Sequence, residues 1–340
     1  MTEPRFKRRA GRLAVQLVGF VACLGLLAWA VSIALKPQNR DQLDRLADAS
    51  AAQVAWLLGL SALTIVLNGL TFWAVLAPAR RLNPLDVIAV STIANFLAYL
   101  PFKLSVVARA AIHNRRDKVP LLTIGAWILA FTALIGVALT PPIVASIVRQ
   151  SIDAIWLAIG VGGVVVCTAL TVLIGRHYAH DPGLERLHRL IDPITPRRLR
   201  HLVRSAWFRE LHEGFAMLAD ARTVSAAVAL RLADVIVQAA RFAIAARVLG
   251  VALTPSEAVL FAMTYFLIGA MSPFGFLGVR EMGTTAVASI AAVAASEEFV
   301  GVTLLVTGAD SIVSLTCAAA GIAWLRPDRL FRNRRSGESA

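Results

Sequence analysis

Charged residues are scarce in this sequence. Asp, Glu, Lys and Arg make up 16% of its 340 residues, whereas a soluble domain carries about 25%. Hydrophobic residues make up 58%, and several apolar runs exceed the 18 or so residues that a helix needs to cross a bilayer. The composition excludes an ordinary soluble domain. It predicts an all-α polytopic membrane protein.

Cysteine is also rare, and it lacks any functional spacing. Cys23, Cys167 and Cys317 each lie inside an apolar run, with no CxxC pair and no metal-ligand pattern. A GxSxG motif is missing, and HNRRD at 113–117 is one residue short of a His-x4-Asp acyltransfer motif. We therefore expect no disulfide framework, no metal, no cofactor and no catalytic residue.

The formal net charge of +13 is unevenly distributed. Of the 34 Lys and Arg residues, 26 fall in four stretches: 1–12, 79–118, 176–222 and 326–340. Basic loops stay on the cytoplasmic side of a membrane and suit anionic lipid head groups there. The pattern predicts basic cytoplasmic tails at both ends of a multi-pass protein of the bacterial inner membrane. No nucleic-acid-binding motif is present, so we expect no nucleic-acid partner.

The apolar runs predict about six full transmembrane helices within one integral membrane domain, residues 1–340. Two further apolar stretches are interrupted by Pro, Gly and charged residues. The six helices are expected at about 13–35, 53–77, 121–147, 154–175, 223–249 and 299–325, and the interrupted stretches are 85–108 and 257–295.

The two interrupted stretches predict broken or re-entrant hairpins in an inverted repeat. The charge pattern makes 85–108 enter and leave on the inner side, whereas 257–295 must do so on the outer side. Pro101 lies 48 residues after Gln53, and Pro273 lies 50 residues after Thr223. Paired broken helices of this kind form the binding sites of many transporters near the bilayer midplane. Pro101, Pro273, Gly275 and Gly278 are the expected helix-break positions.

These spacings define the expected domain organisation. The first repeat would cover 53–175 and the second 223–325, joined by a cytoplasmic loop at 176–222. Within that loop, apolar residues from Leu199 to Leu218 recur at helical spacing. They indicate either an amphipathic helix on the inner membrane surface or a short helix packed under the bundle.

Charged residues inside the apolar runs predict a binding site. Each costs roughly 2.5–3.5 kcal/mol at the centre of a membrane helix, so it must face a cavity or a partner. The arginines suit a phosphate-bearing lipid head group, with the acidic residues as counter-charges or proton carriers. The alternative is a set of internal ion pairs that lock the bundle. The candidate residues are Lys103, Arg109, Arg231, Asp234, Gln238, Arg241, Arg280, Glu281 and Asp310.

Two motifs resemble one membrane family. MSPFGFLGVREMG resembles the P-x-G-x-G-x-R-E signature of the lysylphosphatidylglycerol synthase transmembrane region, or flippase-like, family. NFLAYLPFKLSVVAR resembles the earlier proline-containing segment of that family, with Ser105 where a glycine is expected. The glycine spacing after Pro273 is also stretched.

The resemblance covers about 50–325 and implies a protein that moves lipids or lipid-linked intermediates, or helps to move them. Synthase members of the family carry a soluble aminoacyl-transfer domain after the membrane region, and none follows the last helix in this sequence. We therefore expect no aminoacylation of lipid, and the resemblance implies lipid translocation alone. The matching motif positions are Pro101, Lys103, Arg109, Pro273, Gly278, Arg280 and Glu281.

Two other functions fit the sequence. One is an intramembrane enzyme that modifies phospholipid or polyprenyl-phosphate head groups. The other is a non-transporting subunit of a lipid-synthesis enzyme, its partner unknown, which would use 196–222 and the basic C-terminal tail.

Overall fold

The computed structural model describes residues 3–193, 196, 203–272, 275–290 and 296–326, and these are helical with short connections. The long helices are α1 (Glu3–Ala34), α3 (Ala51–Leu76), α6 (Leu121–Val148), α7 (Ala154–Tyr178), α11 (Ala221–Leu249) and α14 (Ser296–Leu325). The shorter helices are α2 (Arg40–Ala47), α4 (Pro84–Leu97), α5 (Leu104–Arg116), α8 (His180–Ile191), α9 (Ala206–His212), α10 (Gly214–Ala219), α12 (Pro255–Met271) and α13 (Val279–Ile290).

The long helices have the length and composition of membrane spans. Five of them, α1, α3, α6, α7 and α14, are apolar enough to cross a bilayer. The sixth, α11, has 29 residues and reaches about 43 Å at 1.5 Å per residue, but it carries several charges. The prediction of an all-α polytopic membrane protein is confirmed.

The outer surface of the bundle is apolar. Large hydrophobic side chains point away from the protein along the spans; Val18, Ile147 and Ile236 are each more than two-thirds exposed. Water would make such a surface unfavourable, whereas lipid tails solvate it. Charged side chains are instead buried in the interior, between the helices, which is the arrangement expected of a membrane protein.

Two pairs of short helices take the place of full spans. α4 and α5 have 14 and 13 residues, and α12 and α13 have 17 and 12, all below the roughly 20 residues that a spanning helix needs. The first break holds Pro101, followed by Phe102 and Lys103 with positive φ of 71° and 50°. The second break holds Gly275 and Gly278 at φ of 120° and 77°, and α13 begins directly after Gly278. Pro273 lies outside the described residues.

The two hairpins are held together through the helices next to them in the chain. α11 packs along α3, and α4 packs along α14. The main core spreads over these helices and α6, with Phe72, Trp127 and Phe131 among its aromatic residues. This packing brings both helix breaks to the middle of the bundle.

The segment between α7 and α11 folds partly against the bundle. In place of the long helix suggested by the apolar spacing from Leu199 to Leu218, its described part after α8 has the short helices α9 and α10. Met217 and Leu218 of α10 are buried, and the helix packs on α6 and α7. Trp207 of α9 stays half exposed. Residues 197–202 of the expected amphipathic helix lie outside the described residues.

Candidate site where the two broken hairpins meet

A cavity of about 250 Å³ lies where the two helix breaks meet. The backbone of Gly275 packs against the carbonyl oxygen of Tyr99, and the ring centres of Tyr99 and Phe276 are 6.0 Å apart. The polar and charged residues that line the cavity come from α3, α4, α5, α11, α12, α13, α14 and the breaks between them. They are Ser61, Thr64, Asn68, Asn95, Tyr99, Lys103, Ser105, Arg109, Arg231, Asp234, Gln238, Arg241, Tyr265, Ser272, Arg280 and Asp310, together with Thr132 of α6.

The polar stripe of α11 forms one wall. Its four residues follow steps of three, four and three, which place them on one helix face. The side chains of Arg231 and Gln238 both donate to Asp234 Oδ2, at 2.6 and 2.7 Å. All three are buried, as is Arg241. The stripe is thus turned inward, as the cost of charge in lipid requires.

Asp310 connects α11 to α13 across the cavity. Arg241 Nη2 donates a hydrogen bond to Asp310 Oδ1. Arg280 Nη1 lies 4.0 Å from Asp310 Oδ2, too far for a hydrogen bond. One carboxylate therefore stands between two guanidinium groups. It neutralises one positive charge and leaves the other uncompensated.

Aromatic rings hold Arg280 in place. Its guanidinium carbon lies 4.3 Å from the ring centre of Tyr265, 4.8 Å from that of Phe276 and 5.4 Å from that of Tyr99. Cation–π contacts of this kind contribute about 0.5–2 kcal/mol each and leave the positive charge intact. The cage positions the arginine and keeps its N–H groups available to a ligand.

Two other arginines are supported in the same way. Arg231 lies 3.7 Å from the ring centre of Phe266, and Arg109 lies 3.6 Å from that of Phe72. Arg109 also donates to Ser91 Oγ at 3.1 Å, and within the described residues it has no carboxylate within ion-pair distance. Arg109, a candidate from the sequence, is buried and lines the cavity.

The cavity is strongly cationic. Five basic side chains and two carboxylates line it, an excess of three positive charges. Among the described residues, Nε and Nη2 of both Arg231 and Arg280, and Nε of Arg241, are buried without a hydrogen-bond partner. Unpaired buried donors are costly, and an anion with several acceptor oxygens would satisfy them. The excess charge and the unpaired donors would suit an anionic ligand.

Eight of the nine residues predicted from sequence line this one cavity; Glu281 is the exception. It is fully buried behind Arg280, between α13 and α14. Its Oε1 accepts a hydrogen bond from Thr307 at 2.5 Å. Of the helix-break positions, Gly275 lines the cavity, whereas Gly278 packs against the backbone of α1.

Sequence reasoning missed the aromatic residues around the arginines. Tyr99 and Tyr265 are two of only three tyrosines in the chain, and each stands shortly before a helix break. That position is a signal that could have identified them. Asn95, also in the wall, donates to Ser314 Oγ at 2.7 Å and ties the first hairpin to α14.

The incomplete acyltransfer motif forms a structural pair at the end of α5. His113 Nδ1 lies 2.6 Å from Asp117 Oδ2, and the ring, fully buried, packs against Trp127. A substrate cannot reach this imidazole without displacing the core. In the part of the chain that the structure describes, no three His, Cys, Asp or Glu side chains converge as a metal site.

Comparison with known families agrees with the motif resemblance. The family profile described as "Lysylphosphatidylglycerol synthase TM region" matches residues 14–318, nearly the whole chain. The chain belongs to this family. No curated protein and no solved structure matched it.

Both family motifs lie at helix breaks. A family named for the membrane region of a lipid-modifying protein relates this chain to lipid metabolism, and the helices make it a multi-pass membrane protein. Three of the motif residues, Lys103, Arg109 and Arg280, line the cationic cavity.

Proposed function

We propose that this family member binds an anionic, phosphate-bearing lipid or lipid-linked intermediate and moves it across the membrane. The observation that carries the proposal is the buried cavity with an excess of three positive charges at the junction of two broken hairpins. Arginine guanidinium groups bind phosphate oxygens through paired N–H donors. In a site shielded from water, such charge-assisted hydrogen bonds are stronger than at a surface.

The cavity suits a head group more than a whole lipid. At about 250 Å³ it lies slightly below the roughly 300–1,000 Å³ of sites for drug-sized ligands. Part of its wall is formed by Leu100, Val106 and Thr132, whose side chains are exposed at the bundle surface near α5 and α6. Acyl chains could leave the cavity there and remain in the lipid while the phosphate contacts the arginines.

Movement across the membrane requires that the site be reached from both sides. The proposal therefore includes the inverted repeat, with 53–175 and 223–325 as its halves and the two hairpins entering from opposite faces. The packing of α3 against α11 and the contact of the two breaks support this arrangement. The basic inner loops support cytoplasmic termini in a bacterial inner membrane.

Lipid movement in reconstituted vesicles tests the function. Purified protein would be placed in phosphatidylcholine vesicles that contain acyl-labelled phosphatidylglycerol, and loss of label accessibility would be followed with a membrane-impermeant quencher. The variant R280Q removes one phosphate-directed charge. We expect it to slow movement at least about tenfold, because a hydrogen bond to a charged group contributes about 1.5–3 kcal/mol.

The matched control is R247Q. Arg247 stands on α11 like Arg231 and Arg241, but its side chain is exposed and lies outside the cavity. This variant should move phosphatidylglycerol like the unmodified protein. Equal rates for R280Q and R247Q, with both proteins folded, would show that the cavity does not carry the lipid.

A further inference from the structure

A chain of hydrogen bonds runs from the cavity wall to Glu281. Tyr265 OH and Thr307 Oγ1 are 2.6 Å apart, and Thr307 donates to Glu281 Oε1 at 2.5 Å. The three residues come from α12, α14 and α13, and each is buried. The ring of Tyr265 also lies against the Arg280 guanidinium in the cavity. The chain therefore connects an inaccessible carboxyl group to the proposed anion site.

Glu281 differs from the other two carboxyl groups near the cavity. Asp234 is paired with Arg231, and Asp310 with Arg241. Within the described residues, Glu281 has no basic nitrogen within ion-pair distance, and its Oε2 is buried without a hydrogen-bond partner. An unpaired carboxylate is costly to bury, whereas a neutral carboxylic acid is much less so.

Three titratable or charged groups lie near Glu281. They are Arg280 on its own helix, Tyr265 from α12 and the thiol of Cys23 from α1. Asp310 of α14 faces Arg280 and Tyr265. Among the described residues, Glu281 therefore holds one hydroxyl donor and no basic partner, directly behind a cavity whose net charge changes when an anion enters. An anion that enters the cavity offsets the positive charges and shifts the balance towards proton uptake.

The chain of hydroxyl groups can form hydrogen bonds with both the ionised and the protonated carboxyl group of Glu281 without movement of heavy atoms. With Glu281 ionised, Tyr265 donates to Thr307, which donates to the carboxylate. With Glu281 protonated, the carboxyl group donates to Thr307, which donates to the tyrosine oxygen. Further buried hydroxyls lie one turn away on each helix, at Thr284 on α13 and Thr303 on α14. They extend the polar seam between the two helices away from the cavity.

From this arrangement we infer that Glu281 is a proton-binding site coupled to occupancy of the central cavity. An anionic head group enters as a proton from water forms an O–H bond on the Glu281 carboxylate, and both leave together. The added negative and positive charges cancel inside the bilayer. By linkage, the proton and the lipid strengthen each other's binding by the same factor. The inference rests on the proposed function and adds an ion to it.

Proton uptake per bound lipid is the direct test. Purified protein in weakly buffered phosphatidylcholine nanodiscs would receive short-chain phosphatidylglycerol, with a pH indicator for protons and calorimetry for bound lipid. The unmodified protein should take up a proton for each lipid bound. E281Q should take up almost none, because the amide does not titrate in this range. T307V, which interrupts the chain, should slow the uptake.

T316V is the matched control for T307V. Thr316 is an exposed threonine on the same helix, and its hydroxyl donates to backbone carbonyls of that helix. It should behave like the unmodified protein. If E281Q does not fold, T307V alone tests the inference. Proton uptake by T307V as fast as that by T316V would then overturn it. Uptake by folded E281Q equal to that of the unmodified protein would overturn it as well.

Vesicles separate this inference from the proposed function. If a proton gradient speeds phosphatidylglycerol movement by the unmodified protein but not by E281Q, both stand. If phosphatidylglycerol moves at a rate that no proton gradient changes, the function stands and the proton site is wrong. A response to a sodium gradient in place of a proton gradient also overturns it. If no lipid binds or moves, both fail.

Discussion

The ammonium group of Lys103 donates a hydrogen bond to the carbonyl oxygen of Ala270 at 3.1 Å, from the break of one hairpin to the end of α12 in the other. Each of these breaks leaves backbone groups without helical partners, and the contact satisfies one of them. The two hairpins therefore form one unit at the cavity. A movement that exposes the site must separate them or carry them together.

A cross-link between the hairpins should form readily. In protein without its three native cysteines, K103C and A270C should be joined by a short bis-maleimide, because both positions are exposed and adjacent. A protease site inserted near Pro196 allows the chain to be cut between the two hairpins. The cross-link then keeps the two halves together on a denaturing gel. In the control pair K103C and A252C, Ala252 lies before α12, at the far end of the helix from Ala270. The helix from Pro255 to Ala270 spans about 22 Å at 1.5 Å per residue. Equal yields for the two pairs would contradict the contact.

The inverted repeat predicts opposite sidedness for the two hairpins. Single cysteines at Ala79 and Lys118 flank the first hairpin, and cysteines at Ala252 and Ser289 flank the second; all four side chains are exposed. In intact cells, an impermeant thiol reagent should label A252C and S289C but reach A79C and K118C only after the membrane is opened. Labelling of both pairs from one face would refute the inversion.

The helices could be predicted from sequence because membrane spans depend on local composition. The run expected at 121–147 is observed as Leu121–Val148, bounded by Pro120 and Arg149. The inward face of α11 was also predictable, since only an internal site tolerates a stripe of charge in lipid. Both conclusions rest on single helices and need no knowledge of their neighbours.

Contacts between distant segments could not be predicted in this way. Tyr99 and Tyr265 are 166 positions apart in the sequence, and nothing local shows that both flank Arg280. Helical spacing from Leu199 to Leu218 does not distinguish a lipid surface from a protein surface, because both select the same apolar face. Only the packing of α10 shows which surface Met217 and Leu218 cover.

The excess positive charge predicts a preference among lipids. Phosphatidylglycerol, with one negative charge, should compete for the cavity better than its lysyl ester, whose two amino groups give a net positive head group. Repulsion from three uncompensated cations is strong where water is excluded. Competition against labelled phosphatidylglycerol in nanodiscs measures the ratio. Tighter binding of the lysyl ester would contradict an anion-selective site.

The pair of Arg241, which is buried, and Asp310, which is 15% exposed, should show strong coupling in stability. Removing one partner of a buried ion pair costs about 3–5 kcal/mol, because the other charge is left uncompensated. We expect D310A and R241A each to lower the unfolding free energy by about that amount. The double variant R241A with D310A should lose much less than the sum. Unfolding in mixed detergent micelles measures all four proteins.

A surface pair provides the control for that cycle. Arg149 and Asp153 form an ion pair with side chains 40% and 31% exposed, and the variant D153N should lose little stability. The hydrogen bond from Arg149 lowers the pKa of Asp153. The small contribution is therefore present above the ordinary carboxyl pKa and is lost as the pH falls through the lowered value. If D153N lowered the unfolding free energy as much as D310A does, burial would not be the cause of the large loss at Asp310.

Gly278 should tolerate no side chain. It has φ of 77°, and a Cβ there would lie 2.0 Å from the carbonyl oxygen of Cys23 and 2.8 Å from the nitrogen of Leu27, both backbone atoms of α1. G278A must therefore displace α1 or the turn before Arg280. We expect a lower melting temperature and weaker phosphatidylglycerol binding. G136A is the matched control, because a Cβ on Gly136 in α6 meets nothing within 4 Å and alanine favours the helix by up to about 1 kcal/mol. If G278A and G136A had the same melting temperature, α1 would not lie against this turn, and the position of Arg280 would not depend on α1.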